Sequence, residues 1–260
     1  MARKRLDVLL VERGLAESRA RAQAYIMEGR VRAGDRVFSK AGETIDETTD
    51  LTLVQPETSY VGRGGEKLAH ALDTFGLDPA GLVALDIGAS TGGFTDVLLR
   101  RGARRVYAVD VGYGELAWAI REDPRVVVME RTNIRYLESL PERPGLATID
   151  VSFISLDKVL PAVWRLLDDE GRVVALIKPQ FEAGRGLVGK GGIVRDPATH
   201  RLVLERVLDM AAGEGWRLGG LVASPIRGRS GNREFLALWS KTSLPTFVDP
   251  KAAVASAMAE

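Results

Sequence analysis

From residue 82 onward the chain repeats one pattern: a short apolar run, a turn, a stretch with helical spacing, then another apolar run. The runs fall at 82–87, 105–109, 126–129, 147–149, 173–177, 218–223 and 235–239, with helical spacing at 94–101, 115–121, 156–167 and 197–213. Runs that are apolar throughout, rather than alternating with polar residues, belong to strands covered on both faces, and the intervening helices supply the cover. The spacing therefore predicts an α/β fold with a mostly parallel sheet. A non-helical link at 224–233 joins the last two runs, which predicts one antiparallel strand at the C-terminal end.

Composition narrows the chemistry. The 260 residues contain no cysteine, which excludes disulfides, cysteine-ligated zinc, iron–sulfur clusters and a thiol nucleophile. Two histidines, His70 and His200, leave little for a zinc site or a Ser-His-Asp triad, so no metal is expected. No apolar run approaches the ~18 residues of a membrane span. Asp7, Glu12 and Arg13 interrupt the apolar stretch near the start, so a signal sequence is not expected and a cytoplasmic protein is.

The near-zero net charge, 36 basic against 35 acidic residues, hides a basic end. Residues 1–40 carry ten Lys/Arg and five acids, whereas 41–60 carry five acids and no base. Such a segment reads either as a phosphate-backbone binder or as a solvated helical face. A first helix is predicted over 5–13 and a second over 18–28, capped by Ser18, with Ala22, Tyr25 and Ile26 inward and Gly29 ending it. Arg19 and Arg21 then fall in a first turn, where the helix dipole disfavours cations, so an outside anion is expected there. Residues 30–37 alternate around Gly34-Asp35 like a short hairpin.

Two short helices and a basic hairpin resemble the S4 RNA-binding domain. The resemblance is carried by Arg5-Leu6-Asp7, Gly14, Ser18-Arg19 and Gly29-Arg30-Val31. It implies contact with structured RNA through the second helix and the hairpin. The expected organisation is an α+β RNA-binding domain at 1–57, a linker at 58–65, the sheet domain at 66–243 and a loosely attached tail at 244–260.

The first strand of the sheet runs into Asp86-Ile87-Gly88-Ala89-Ser90-Thr91-Gly92-Gly93-Phe94-Thr95. A glycine-rich turn between strand and helix lets a nucleotide approach the backbone. A phosphate-binding loop would need Gly-Lys-Ser/Thr at its end, and Ser90 breaks the dinucleotide G-x-G-x-x-G pattern. Asp86, Gly88 and Gly92 instead resemble the first motif of S-adenosylmethionine-dependent methyltransferases, a Rossmann-like class. Candidate cofactor contacts are Asp86, Gly88, Ala89, Ser90, Gly92, Gly93, Phe94, Val111 and Asp150. Asp110 adds an acid at the end of the second strand for the ribose hydroxyls, and Asn133 adds an amide for the adenine edge.

The acceptor atom is narrowed by exclusion. Methylation at pyrimidine carbon commonly needs a cysteine adduct, and the fourth strand ends in Asp150-Val151-Ser152-Phe153 rather than a Pro-Pro-Tyr-type tetrapeptide for exocyclic amines. Both favour an oxygen nucleophile, which needs a base or strong polarisation. Lys178 follows the fifth strand, Asp150 ends the fourth, Glu234 starts the last, and Lys67 precedes the first. A crowded, partly desolvated lysine loses basicity and can accept a proton, while neighbouring carboxylates orient it and oppose that loss. Taken singly, Lys178 also reads as a solvated strand end, Asp150 as a helix cap, Glu234 as an exposed edge charge and Lys67 as a helix-surface residue.

Together Lys67, Asp150, Lys178 and Glu234 resemble the tetrad of FtsJ-like ribose 2′-O-methyltransferases. With the S4-like domain, the chain is similar to the TlyA (hemolysin A-like) family across Gly62-Arg63-Gly64, Asp110–Gly114, Glu130–Asn133, Ser152–Leu156, Lys178–Glu182 and Ser230-Gly231-Asn232. The resemblance implies 2′-O-methylation of cytidine in ribosomal RNA, of the large subunit (23S) and in some members also of the small subunit (16S), with S-adenosylmethionine as cofactor and ribosomal RNA or subunits as partner. Lys178 would be the base or the 2′-hydroxyl positioner. No stable protein partner and no membrane are implied. Family RNA contacts map to Arg5, Arg19, Lys40, Arg63, Arg131 and Arg135, and the basic hairpin and second helix add Arg21, Arg30 and Arg32. Two departures stand out: Thr58-Ser59-Tyr60-Val61 replaces an Arg-x-Trp-Val segment, and Glu17 stands where a basic residue can occur. The competing readings are a non-enzymatic ribosome-assembly factor and a membrane-lytic protein. The loop at 182–196, with Arg185, Lys190 and Arg195, is expected to be mobile and near the RNA.

Overall fold

The computed structural model describes residues 3–27, 29–40, 42–54, 60–228, 230–242 and 248–259, without the side chain of Arg185. The contacts divide the chain into two units, Met1–Gly62 and Arg63–Glu260. Thr58 and Ser59 of the altered segment lie outside the described residues.

The first unit is α+β. Strand β1 (Arg3–Arg5) pairs antiparallel with β4 (Thr44–Asp46), and β2 (Val31–Ala33) lies between β3 (Arg36–Val37) and β5 (Thr52–Leu53). Helices α1 (Leu6–Glu12) and α2 (Arg19–Met27) complete a core of Leu6, Leu9, Leu10, Ala22, Ile26, Val31, Phe38, Ile45 and Leu51. Arg5 ends a strand rather than opening the first helix, because its backbone pairs with Thr44. Ser18 does cap α2, its Oγ accepting the Arg21 N–H at 3.2 Å. Tyr25 is only half-buried: the Arg30 guanidinium lies 4.2 Å, and the Arg21 guanidinium 5.4 Å, from its ring centroid.

In the second unit, α3 (Gly64–Phe75) leads into a seven-stranded sheet. In chain order its elements are β6 (Val83–Ile87), α4 (Gly93–Arg100), β7 (Arg105–Val109), α5 (Trp118–Arg121), β8 (Val126–Met129), β9 (Leu146–Ile149), α6 (Leu160–Leu166), β10 (Arg172–Ile177), α7 (Pro179–Glu182), α8 (Pro197–Gly213), β11 (Arg217–Ala223), β12 (Phe235–Ser240) and α9 (Pro250–Ala259). The spatial order is β11-β12-β10-β9-β6-β7-β8. The pairs from β10 to β8 are parallel, and β12 runs antiparallel to both neighbours. One antiparallel strand near the C-terminal end is thus as the link at 224–233 predicts.

Register places the site. Ile87 pairs with Val109 and Ile149, Ala175 with Ile149, and Val109 with Met129, so β6, β7, β8, β9 and β10 finish along one edge. Because β12 is antiparallel, it starts at that edge, with Phe235 opposite Ile177. Residues that follow four strands and one that precedes a fifth therefore converge: Gly88, Asp110, Asp150, Lys178 and Glu234.

Three expectations need correction. The helix predicted over 115–121 begins only at Trp118, because the Glu115 carboxylate accepts the Ser90 hydroxyl at 3.1 Å and the Ala117 N–H bonds Thr91 O at 3.1 Å. The linker predicted to reach residue 65 ends earlier, since Gly64 and Gly65 already belong to α3. The segment read as a loose tail contains α9, which buries Ala253, Val254 and Ala257 in the main core; the Arg233 guanidinium donates to the carbonyls of Ala257 at 3.0 Å and Met258 at 3.2 Å.

Candidate active site

The glycine-rich turn is built for close approach. Gly88 has φ +82°, and a Cβ there would lie 2.5 Å from the carbonyl oxygen of Asp150, so only glycine lets β6 leave the sheet beside β9. Gly92, φ +96°, caps α4, with Leu116 and Ile120 packed over it. Ser90 is held in the left-handed region at φ +46° by its N–H donating to Asp110 Oδ2 at 2.8 Å. Gly112 N–H donates to Asp110 Oδ1 at 2.7 Å, so this half-buried carboxylate ties together the turns after β6 and β7. Val111 beside it is exposed, while Ala89, Gly93 and Phe94 are buried.

The Asp86 side chain lies in the interior beneath the turn. It is fully buried, accepting the Thr95 hydroxyl at 2.6 Å and the Thr148 hydroxyl at 3.1 Å, and burial pushes its carboxyl up to about 7. It braces the turn from beneath. Asn133 is likewise engaged: its Oδ1 accepts the Arg135 backbone N–H at 3.1 Å, capping a short helical turn at Ile134–Tyr136.

The four tetrad candidates form two lysine–carboxylate pairs. Lys178 Nζ lies 2.6 Å from Asp150 Oδ1 and donates to Ser152 Oγ at 3.0 Å. Lys67 Nζ donates to Glu234 Oε2 at 2.6 Å, and Gln180 Nε2 approaches Glu234 Oε1 at 3.4 Å. Lys67, Lys178 and Glu234 are 8%, 9% and 3% exposed, so the solvated readings of these three side chains do not hold. Charges this buried persist only when paired. Gly64, at the start of α3, brings the first turn of the helix that carries Lys67 over this site. A Cβ there would lie 3.7 Å from Asp150 Oδ2 and 3.6 Å from the Phe94 ring.

Several residues outside the predicted set organise the edge. Phe153 is 91% exposed and held at φ +63°, its ring 5.0 Å from that of Phe181. Glu182 anchors the same loop: its carboxylate accepts the Ser155 hydroxyl at 2.5 Å and the Leu156 N–H at 2.9 Å, and burial raises its pKa. Buried Asn232 accepts the Val194 N–H and donates to Gly192 O, both at 2.9 Å, so the end of the glycine-rich loop is pinned beside Glu234. The signal for these residues was local: an aromatic three residues after Asp150, and polar residues within Lys178–Glu182 and Ser230-Gly231-Asn232.

The predicted RNA-contacting arginines are distributed over both units. Arg5 and Arg19 are exposed but bound to buried Asp7, which corrects the expectation that an outside anion alone accounts for Arg19. Arg30 donates to Val54 O and stacks on Tyr25 with Arg21; Arg32 is half-buried in β2 and Lys40 is exposed. In the second unit, exposed Arg63 donates to Arg227 O at 3.2 Å, Arg131 lies 4.1 Å above the Tyr113 ring, and Arg135 lies 5.1 Å above Tyr136. Among the described residues no helix is long and apolar enough to cross a membrane, and no cluster of metal-ligating side chains occurs.

Comparison with known proteins agrees with this division. Residues 60–241 match the FtsJ-like methyltransferase family and residues 4–51 the S4 domain. The chain is 48% identical over 246 residues to the 16S/23S rRNA (cytidine-2′-O)-methyltransferase TlyA of Mycobacterium tuberculosis, covering 93% of this chain and 91% of that one. It is 43% identical over 237 residues to Hemolysin A of Brachyspira hyodysenteriae, covering 90% and 98%. A solved structure from Streptococcus thermophilus, provisionally described as a hemolysin, superposes with a TM-score of 0.76 at 46% identity, covering 100% of this chain and 95% of that one.

Proposed function

The chain belongs to the TlyA/hemolysin A family, which joins an S4 domain to an FtsJ-like methyltransferase domain, and from that premise we propose that it methylates the ribose 2′-oxygen of cytidine in ribosomal RNA. The observation that carries this reading is two buried lysines held in ion pairs, Lys178–Asp150 and Lys67–Glu234, at the sheet edge beside the glycine-rich turn. A scaffold that only bound RNA would have no use for two desolvated lysines there.

When bound, S-adenosylmethionine supplies a methyl group on a positively charged sulfonium. The residues of the edge suit such a ligand: Asp110, Glu115 and Asp150 are carboxylates around the turn, and Gly88 and Gly92 keep its backbone clear of side chains. In this reading Gly88, Ala89, Ser90, Gly92, Gly93, Phe94, Asp110, Val111, Asn133 and Asp150 form the cofactor wall, with Asp86 bracing it from below. Lys178 holds the ribose 2′-hydroxyl, and Asp150 and Ser152 fix the amine. Once Lys178 has released its own proton to solvent, its neutral amine takes the hydroxyl proton as the methyl passes from sulfur to oxygen and the sulfur leaves as a neutral thioether. Lys67 and Glu234, with Gln180, set the other wall of the site. Phe153 offers an open aromatic face beside Ser152 on which a nucleobase can stack. Arg5, Arg19, Arg21, Arg30, Arg32, Lys40, Arg63, Arg131 and Arg135 supply the phosphate contacts. The chain would act on ribosomal subunits in the cytoplasm without a stable protein partner.

The test is transfer of labelled methyl from S-adenosylmethionine to separately purified small and large ribosomal subunits, followed by digestion to nucleosides and mass analysis. Label in 2′-O-methylcytidine is the expected result. Label on a base, or no transfer by a chain that binds the cofactor, would overturn the reading.

A further inference from the structure

Asp7 is the one fully buried charged side chain among the described residues of the first unit, in a core that is otherwise apolar. Its carboxylate takes four hydrogen bonds. Arg5 Nε donates to Oδ1 at 3.0 Å and Arg5 Nη2 to Oδ2 at 2.9 Å. Arg19 Nε donates to the same Oδ2 at 2.9 Å, and Gln23 Nε2 does so at 2.8 Å. The Arg5 bonds, with those from Gln23 and Arg19, hold its carboxyl well below the usual range, so it stays ionised.

The arginines are treated differently from the acid. Their side chains are 46% and 56% exposed, so the charge that is buried is the organiser and the charges that are displayed are the two guanidinium groups. Arg5 Nη2 and Arg19 Nε each lie 2.9 Å from one oxygen, so they are no more than about 5.8 Å apart. Two cations at that spacing repel, and Arg19 also stands in the first turn of α2, where the dipole opposes it. An ionised carboxylate between them removes both objections. Arg19 engages Asp7 through Nε, so the Nη donors of the fork can serve a second acceptor.

We propose that Asp7 is a positioning residue for RNA: it holds Arg5 and Arg19 as a preformed two-guanidinium grip on a phosphodiester, with Gln23 fixing the carboxylate from the second helix. The proposal rests on the RNA reading above and adds to it an acid whose removal weakens the binding of an anion. Electrostatics alone predicts the opposite sign, since Asp7→Asn removes a negative charge from a phosphate-binding surface.

The experiment is a binding titration of the full chain with ribosomal RNA extracted from large subunits, over a series of salt concentrations. Arg5→Ala/Arg19→Ala is expected to weaken binding at least tenfold and flatten the logarithmic salt slope by about 1.4 to 1.8, the release expected for two phosphates. Asp7→Asn is expected to weaken binding about three- to tenfold, and to add nothing in the double-alanine background. Tighter or unchanged binding by Asp7→Asn, or a loss that persists in that background, overturns the proposal. Should Asp7→Asn fail to fold, Gln23→Ala serves instead, with a two- to threefold loss that likewise vanishes without the arginines; no loss, or one that persists without them, overturns the proposal. If the double-alanine variant binds normally, the RNA role of these arginines falls, and the proposal with it; if only the Asp7 and Gln23 variants bind normally, the proposal alone falls.

Discussion

Replacing Gly88 with alanine should disable the site through backbone geometry alone. The added Cβ would lie 2.5 Å from the Asp150 carbonyl oxygen, 2.9 Å from its carbon and 3.2 Å from the Val151 nitrogen, all of them backbone atoms. Ordinary contact begins near 3.4 Å, so the end of β9 must retreat by about 0.9 Å relative to the turn. Asp150 carries the partner of Lys178, and a misplacement of about an ångström at reacting groups costs roughly 10²-fold in rate. The φ of +82° adds strain of about 1–2 kcal/mol for any side chain. Gly81→Ala separates the two effects: Gly81 has φ +72° but nothing within 4 Å of a Cβ, so it should lose about 1 kcal/mol of stability and keep its rate. Initial rates of methyl incorporation, read beside urea unfolding for the three proteins, decide the matter. A Gly88→Ala chain within threefold of wild-type rate would refute the argument, as would an equal rate loss in Gly81→Ala.

Asp86 predicts a pH dependence. Its carboxyl titrates near 3.8 when unfolded and near 7 when buried, so the folded chain holds the proton more tightly. Its contribution to stability is therefore full at low pH, falls as pH climbs from about 4 to about 7, and then levels off; the whole change is on the order of 4 kcal/mol. Asp86→Asn should flatten that slope relative to wild type in urea unfolding across this range, and an unchanged slope would exclude the burial argument. Asn232→Ala leaves the Val194 N–H and the Gly192 carbonyl without their partner, and should cost about 1–3 kcal/mol while raising protease sensitivity at 184–195. Truncation after residue 249 should lower stability by several kcal/mol, because it strips Val254 and Ala257 from the core and leaves the Arg233 guanidinium without its two carbonyls. A truncated chain as stable as the full one would restore the view of this segment as a loose tail.

The sheet was legible because its central strands are covered on both faces: successive residues Val83, Ala84 and Leu85, and Val173, Val174, Ala175, Leu176 and Ile177, are buried without alternation, so apolar runs mark them directly. The tetrad was legible for a related reason, since strand ends locate the carboxyl edge and three of the four candidates sit at strand ends. Other features depend on partners distant in sequence or on weak patterns. Helix α9 buries Ala253, Val254 and Ala257 in the core, with Met258 partly buried beside them, a face too small to stand out in an alanine-rich segment. Glu115 leaves the helical pattern for a hydroxyl 25 residues away. Arg19 finds its carboxylate in another helix, 12 residues back, so dipole reasoning alone pointed outside the molecule. Asp86 belongs to the motif in the sequence but faces Thr95 and Thr148 in the fold, a difference of side-chain direction that spacing does not encode.

The central claim is that Lys178, fixed by Asp150 and Ser152, moves the proton that frees the 2′-oxygen. Single-turnover methyl transfer to ribosomal RNA by wild type and Lys178→Ala, with cofactor and RNA affinities measured on the same preparations, tests it most directly. A loss of about 10²–10⁴-fold in transfer, the usual range for removing a positioned base, with both affinities within threefold of wild type, is the predicted result. Transfer that survives in Lys178→Ala while both ligands bind would contradict the account.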